Sequence, residues 1–318
     1  MRFIISTSTV SDDVIGRATA TTATSTNLDI RDSRFPYPTC PSPQLHCHFS
    51  LHLATNSRMG ELKYIQRTIT STMRDTRSIL VINPNSTESM TDALRPLVES
   101  LHYKDTTHDF FTAPSGPKSI NDEDDAVKSV KHCLPALEPI LERYSGFLVA
   151  CYSEHPLVPI LKRNPSIRKG RKYVTGIFEA SVGTSLQIIS PDEKFGIVST
   201  GKVWEKILSE ATANLLGTGT EASKRFAGVE TTGLNATDLH DAPPEEVRKR
   251  MKDAVKRLLR KGKVGAICLG CAGMSGMDKM VREACVEELG EEEGSLVRIV
   301  DGVQAGVAWL EGSVRAGL

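Results

Sequence analysis

Seven cysteines punctuate the 318-residue chain, and two of them sit where a thiol could act on a substrate. Cys151 follows the apolar run Gly146–Ala150 (GFLVA), and Cys271 follows Val264–Leu269 and Gly270. Both runs read as buried strands of a parallel sheet, and ligands bind beyond the carboxyl ends of such strands. A helix is expected soon after each cysteine, from about His155 and from about Met274. Free N–H groups and the positive dipole end at a helix start favour an anion, so both thiols are expected to have a lowered pKa. Two such groups on opposite sides of one carbon suit stereoinversion. One thiolate removes the proton beside a carbonyl, and the opposed thiol returns one to the other face. Backbone N–H groups can hold the developing enolate oxygen, so this chemistry requires neither metal nor pyridoxal, and no cofactor is expected.

The elements that must position these thiols follow an α/β rhythm. Ser78–Ile82 is a β-branched run that ends in Asn83-Pro84-Asn85-Ser86-Thr87, and Ser89–Ser100 reads as a helix. His108–Thr112 reads as a strand, Ala113–Asp125 as a polar loop, and Ala126–Arg143 as a helix leading to the strand before Cys151. The order then repeats. The strand Lys194–Ser199 ends in Thr200-Gly201, and a helix runs from Val203. Strand Phe226–Thr231, loop Thr232–Pro244, helix Glu245–Arg260 and strand Val264–Leu269 complete the second pass. Asn83 to Cys151 and Ser199 to Cys271 are each about 70 positions, the mark of an internal duplication. The expected fold is therefore α/β, with two pseudo-symmetric lobes, each a parallel sheet flanked by helices. A twofold relation between the lobes would bring the two cysteines face to face across a cleft.

Residues 1–77 differ in kind. Ser and Thr supply roughly a quarter of them, apolar periodicity is weak, and no core is expected. Its arginines suit a mitochondrial presequence, but Asp12, Asp13, Asp29 and Asp32 argue against one. The remaining readings are a disordered extension or an over-extended gene model starting in truth at Met59 or Met73. Cys40, His46, Cys47, His48 and His52 cluster there, but their spacing matches no closed zinc module, and no metal site is expected.

Acidic and basic residues balance at 39 each, and the sequence pI is near 7.1. That balance offers no footprint for nucleic acid or an acidic membrane surface. The basic run Arg248–Lys263 falls on a helical pattern and reads as a solvated outer face. No apolar run approaches the roughly 20 residues that span a bilayer, so a soluble protein is expected. An odd cysteine count without disulfide-framework spacing suits a reducing, cytoplasmic setting. The expected partner is a small-molecule substrate, and self-association into a homo-oligomer stays open.

At these residues the chain resembles the hydantoin racemase branch of the aspartate/glutamate racemase superfamily. The matching motifs are ILVINPNST at Ile79–Thr87, TAPSGP at Thr112–Pro117 and VACYSEHPLV at Val149–Val158. GIFEAS at Gly176–Ser181, LGCAGM at Leu269–Met274 and IVDGV at Ile299–Val303 continue the series. The resemblance spans Ser78 to Leu318, and it departs from the bacterial pattern at Tyr152-Ser153-Glu154-His155. It implies an isomerase that racemises 5-substituted hydantoins, with allantoin, itself a hydantoin, as a related candidate. It also implies a first lobe of 78–175 completed by 297–318, and a second lobe of 176–296. Competing readings are an aspartate or glutamate racemase, a decarboxylase or cis–trans isomerase of the same superfamily, and an idle metabolite-binding protein.

The expected site comprises Cys151 and Cys271 as proton-transfer groups, with Asn83, Tyr152, Ser153, Thr200, Ala272 and Gly273 contacting substrate. Each has a plainer alternative. Asn83 and Thr200 could simply close local turns. His155 could pair with the Cys151 thiol as in a cysteine hydrolase, or cap and pack before Pro156. Glu179 could face the cleft or merely occupy a helix start. Cys133 and Cys285 read as buried helix residues. Cys268 and Cys271 spell Cys-x-x-Cys, a redox dithiol or half a zinc site, although Cys268 falls inside a strand and no second pair is evident. The loops Ala113–Asp125 and Thr232–Pro244 could act as lids or merely connect.

Overall fold

Largely buried apolar runs form the central strands, half-buried ones most of the edges, and all strand pairings are parallel. The computed structural model describes residues 77–218 and 223–318. The N-terminal extension and its Cys40, His46, Cys47, His48 and His52 cluster lie outside the described residues. In chain order the first elements are β1 (Arg77–Asn83), α1 (Glu88–Asp92), α2 (Arg95–Glu99), β2 (Thr106–Thr112) and α3 (Glu123–Leu137). Then come β3 (Gly146–Val149), α4 (Leu157–Arg163), α5 (Pro165–Lys169), β4 (Tyr173–Gly176) and α6 (Ile177–Ile188). The second pass has β5 (Lys194–Ser199), α7 (Val203–Leu216), β6 (Phe226–Thr231), α8 (Asp238–Asp241) and α9 (Pro244–Leu259). It closes with β7 (Val264–Leu269), α10 (Asp278–Leu289), α11 (Glu291–Leu296), β8 (Arg298–Asp301) and α12 (Gly302–Ala316).

The two sheets have the same order, β2-β1-β3-β4 and β6-β5-β7-β8. This is the α/β, two-lobed pseudo-symmetric architecture that the duplicated pattern implies. Two helical expectations shift for local reasons. The helix expected over Ser89–Ser100 breaks into α1 and α2, because Pro96 has no N–H to give and its ring crowds the carbonyl four residues back. Helix α3 begins at Glu123 because the Asp122 carboxylate caps it, accepting from the Asp125 N–H at 2.8 Å. Its continuation past Leu137 tightens to a 3-10 turn over Glu138–Arg143.

The lobes exchange helices. Helix α6 leaves β4 of the first sheet and packs on β7 and β8 of the second. Helix α12 leaves β8 of the second sheet and packs on β3 and β4 of the first. Helix α12 thus reaches the first sheet from Gly302, while Arg298–Asp301 pair with Ala266–Leu269 in the second sheet. The two helices meet at their starts. A Cβ on Gly302 would stand 2.7 Å from the Ile177 carbonyl oxygen, so glycine permits this crossing. Farther along α12, Glu311 is 1 % exposed, and its Oε2 accepts from Thr106 Oγ1 and Arg315 Nε, both at 2.9 Å. A buried carboxylate needs such partners; Arg315 is on α12 itself, and the Thr106 bond ties α12 to the edge strand β2.

Candidate active site

The strand ladders fix where the two cysteines stand. Val149 pairs with Ile82 in the first sheet, and Leu269 pairs with Val198 in the second. One further bond extends each ladder. The Ala150 N–H donates to the Ile82 carbonyl at 2.8 Å, and the Gly270 N–H donates to the Val198 carbonyl at 2.7 Å. Cys151 and Cys271 come next, at equivalent positions two residues beyond their strands. Both line one cavity of about 70 Å³ at the carboxyl ends of the sheets.

Burial, not the helix end, dominates the thiols. Both thiol pKa values are raised, not lowered as the helix starts imply. Burial pushes the Cys151 thiol up to about 12, against a lesser lowering by the Ser153 hydroxyl 3.6 Å away. Negative charge on Cys271 or Glu179 raises it further. Burial also raises Cys271, opposed by the backbone N–H groups of Gly273 and Met274. The helix starts are less favourable than the sequence implies. Helix α4 begins only at Leu157, six residues after Cys151. Cys271 precedes a single 3-10 turn, Ala272–Met274, rather than an α-helix. Three residues cannot develop the dipole of a long helix, so desolvation wins.

Tyr152, Thr200, Ala272, Gly273 and Asn83 also line the cavity. Asn83 is largely consumed locally: its amide nitrogen faces Asn85 Oδ1, the Thr87 carbonyl and Thr91 Oγ1 at 3.0–3.2 Å. The ladder pairs Asn83 with Thr112 and Ser199 with Thr231, so Asn83 matches Ser199 rather than Thr200. Ser153 is buried beside the Cys151 sulfur, outside the cavity wall. Glu179 lies in the first turn of α6 with one carboxylate oxygen buried and unpartnered, and burial raises its pKa.

His155 turns away from chemistry. Its Nδ1 accepts from the Leu157 N–H at 3.2 Å, so Nε2 carries the proton and faces Ser129 Oγ on α3 at 3.1 Å. Burial lowers its pKa to about 4, and the neutral ring links α3 to the start of α4. Cys133 and Cys285 are buried, and Cys268 lies inside β7 with its sulfur 3.1 Å from Ser185 Oγ.

Sequence reasoning missed much of the cavity wall. Met90 and Leu94 come from the broken α1–α2 segment, and Trp204 comes from the first turn of α7. Ser119 and Ile120 come from one suspected lid loop, and Ala236 comes from the other. The loops were the available signal. Side chains on helices facing a cleft carry the same apolar periodicity as those facing a core, and nothing in the pattern separates them.

Two equivalent four-stranded parallel sheets flanked by helices make up the α/β fold. The allantoin racemase of Pseudomonas fluorescens shares it, with a TM-score of 0.63, 24% identity and coverage of 76% of this chain and 92% of that one. The Asp/Glu/Hydantoin racemase model matches residues 79–310, and the chain belongs to that family. It is an isomerase of the racemase type. An uncharacterized protein of Schizosaccharomyces pombe, C1F7.10, is 33% identical over 76% of this chain and 93% of its own length. A hydantoin racemase of a Pseudomonas species is 27% identical over 75% of this chain and 86% of that protein. Among the described residues, no helix is long and apolar enough to cross a membrane.

Proposed function

We propose that the protein racemises a neutral 5-substituted hydantoin ring, allantoin included, by proton transfer between Cys151 and Cys271. The observation that carries this reading is a cavity with two equivalent thiols and, among its described lining residues, no acidic or basic side chain. A carboxylate or ammonium group taken from water into such a wall loses more solvation than neutral side chains return. Free aspartate and glutamate carry both kinds of charge, whereas a hydantoin presents amide N–H and C=O groups. The relative named as a hydantoin racemase supports the same choice.

In this mechanism one sulfur is a thiolate and the other a thiol. The thiolate takes the proton from ring carbon C5, the electron pair moves onto the adjacent carbonyl oxygen, and the opposed thiol protonates C5 from the other face. Charge is conserved, and the two sulfurs exchange protonation states. Charge on Cys271 raises Cys151, so the pair resists holding two negative charges at once. One base and one acid is the state that inversion needs. Incubation with a single enantiomer of 5-benzylhydantoin, and separately with allantoin, should give protein-dependent loss of optical rotation. Aspartate and glutamate should keep theirs. Activity on the free amino acids with none on either ring contradicts the proposal.

A further inference from the structure

Tyr152 follows Cys151 directly, yet its hydroxyl points away from solvent into a buried polar cluster. The hydroxyl lies 2.8 Å from Ser181 Oγ on α6. Ser181 spends its only hydroxyl hydrogen on the Phe178 carbonyl at 2.9 Å, so Tyr152 is the donor to Ser181. One helical turn further, Ser185 Oγ lies 3.1 Å from the Cys268 sulfur. Cys268 is on β7, three residues before Cys271. The cluster therefore joins the loop of one cavity thiol to the strand of the other through the helix that the first lobe lends to the second.

All four side chains are buried, and a buried hydroxyl that loses its partner costs free energy, so the cluster tolerates one arrangement. The Tyr152 ring is also held edge-on against Phe178, with centroids 5.7 Å apart. We propose that the Tyr152 hydroxyl is a positioning group that sets the reach between the two thiols through Ser181, Ser185 and Cys268. This rests on the two-thiol racemase reading. Of the four, Tyr152 lines the cavity whereas Ser181, Ser185 and Cys268 do not, and its hydroxyl is bonded to Ser181, so the polar part of the cluster acts through the thiols.

Tyr152→Phe removes the hydroxyl and keeps the ring contact. In deuterated water, the wild-type protein acting on one hydantoin enantiomer should place deuterium in the product and little in recovered substrate. Tyr152→Phe should lower kcat about tenfold or more, since misplacing a reacting group by ~1 Å can cost about a hundredfold. KM should stay within about twofold, because Phe keeps the ring at this wall position and the hydroxyl it lacks is bonded to Ser181. The telling readout is isotopic. A misplaced acid lets the carbanion survive and return to the first face, so the ratio of deuterium in recovered substrate to that in product should rise. A merely destabilised fold reduces active protein without moving that ratio. Cys268→Ser keeps a hydrogen-bonding group and should perturb kcat and the ratio less than Cys268→Val. This second pair keeps the test decisive where Tyr152→Phe melts below the assay temperature. Wild-type kinetics and an unchanged ratio in Tyr152→Phe and Cys268→Val overturn the positioning role alone. A wild-type protein that exchanges no ring proton overturns the racemase reading and this proposal with it.

Discussion

Cys271 receives the backbone N–H groups of Gly273 and Met274, whereas Cys151 has the Ser153 hydroxyl and feels the charge of Glu179. Both thiols are raised by burial, but these differences make Cys271 the better home for a thiolate. Iodoacetamide attacks the thiolate, so peptide mapping at pH 8 should find Cys271 alkylated first, by a factor on the order of ten. Prior alkylation of Cys151 contradicts that assignment. The raised values also set the pH dependence. At neutral pH both groups are mostly protonated, and the thiolate fraction grows about tenfold per pH unit below the pKa. The value of kcat/KM should climb from pH 7 to 9 without a plateau; a plateau at neutral pH would mean a thiol that burial has not raised.

Elements hold the thiols in place, and His155 is one of their fasteners. Its folded pKa of about 4 lies below the ordinary 6.5. Between those values the unfolded chain takes up a proton that the folded chain refuses. Stability present above pH 6.5 is therefore lost as pH falls toward 4, by up to about 3 kcal/mol. A His155→Gln variant should start less stable at pH 7 yet lose less over that window in denaturant titrations. Equal losses contradict the buried neutral ring. His155 also marks what the sequence can convey. Its identity and place near Cys151 left both pairing with the thiol and packing before Pro156 open, and only the fold reveals Ser129 from α3 at its other nitrogen. Strands β5, β6 and β7 were legible to their ends, because each lies between turn residues, β5 and β7 as buried apolar runs and β6 as a half-buried one. Strands β4 and β8 were not, because each is a short segment carrying polar residues (YVTG and RIVD) that becomes a strand by pairing at a sheet edge. The thiols were legible from their strand ends. Met90, Leu94 and Trp204 were not, since a cleft-facing apolar side chain looks like a core one.

At the scale of the whole molecule, exchanged helices make the lobes mutually dependent. Helix α12 covers the first sheet but is reached through β8 of the second, and α6 does the reverse. Neither sheet can bury both faces without chain from the other lobe. Thermal unfolding should therefore be one cooperative transition, with no lobe surviving limited proteolysis by itself. Glu311→Gln weakens the seat of α12 on β2, and breaking a buried charged group's partners typically costs about 3–5 kcal/mol. It should lower the midpoint of that single transition; two resolved transitions would contradict the interdependence. The same exchange explains why the positioning cluster crosses lobes, since α6 carries Ser181 and Ser185 to β7.

The central claim is that Cys151 and Cys271 serve opposite faces of one carbon. Its most direct test follows C5–H exchange with deuterated water by NMR, using each enantiomer of a 5-substituted hydantoin separately and subtracting spontaneous exchange. Wild-type protein should racemise both. Cys151→Ser and Cys271→Ser should each lose racemisation by about a thousandfold or more, the loss expected when an essential proton carrier is removed. Each variant should retain exchange with only one enantiomer, and the two should retain opposite ones. Racemisation surviving in either variant, or both variants exchanging the same enantiomer, would contradict the account.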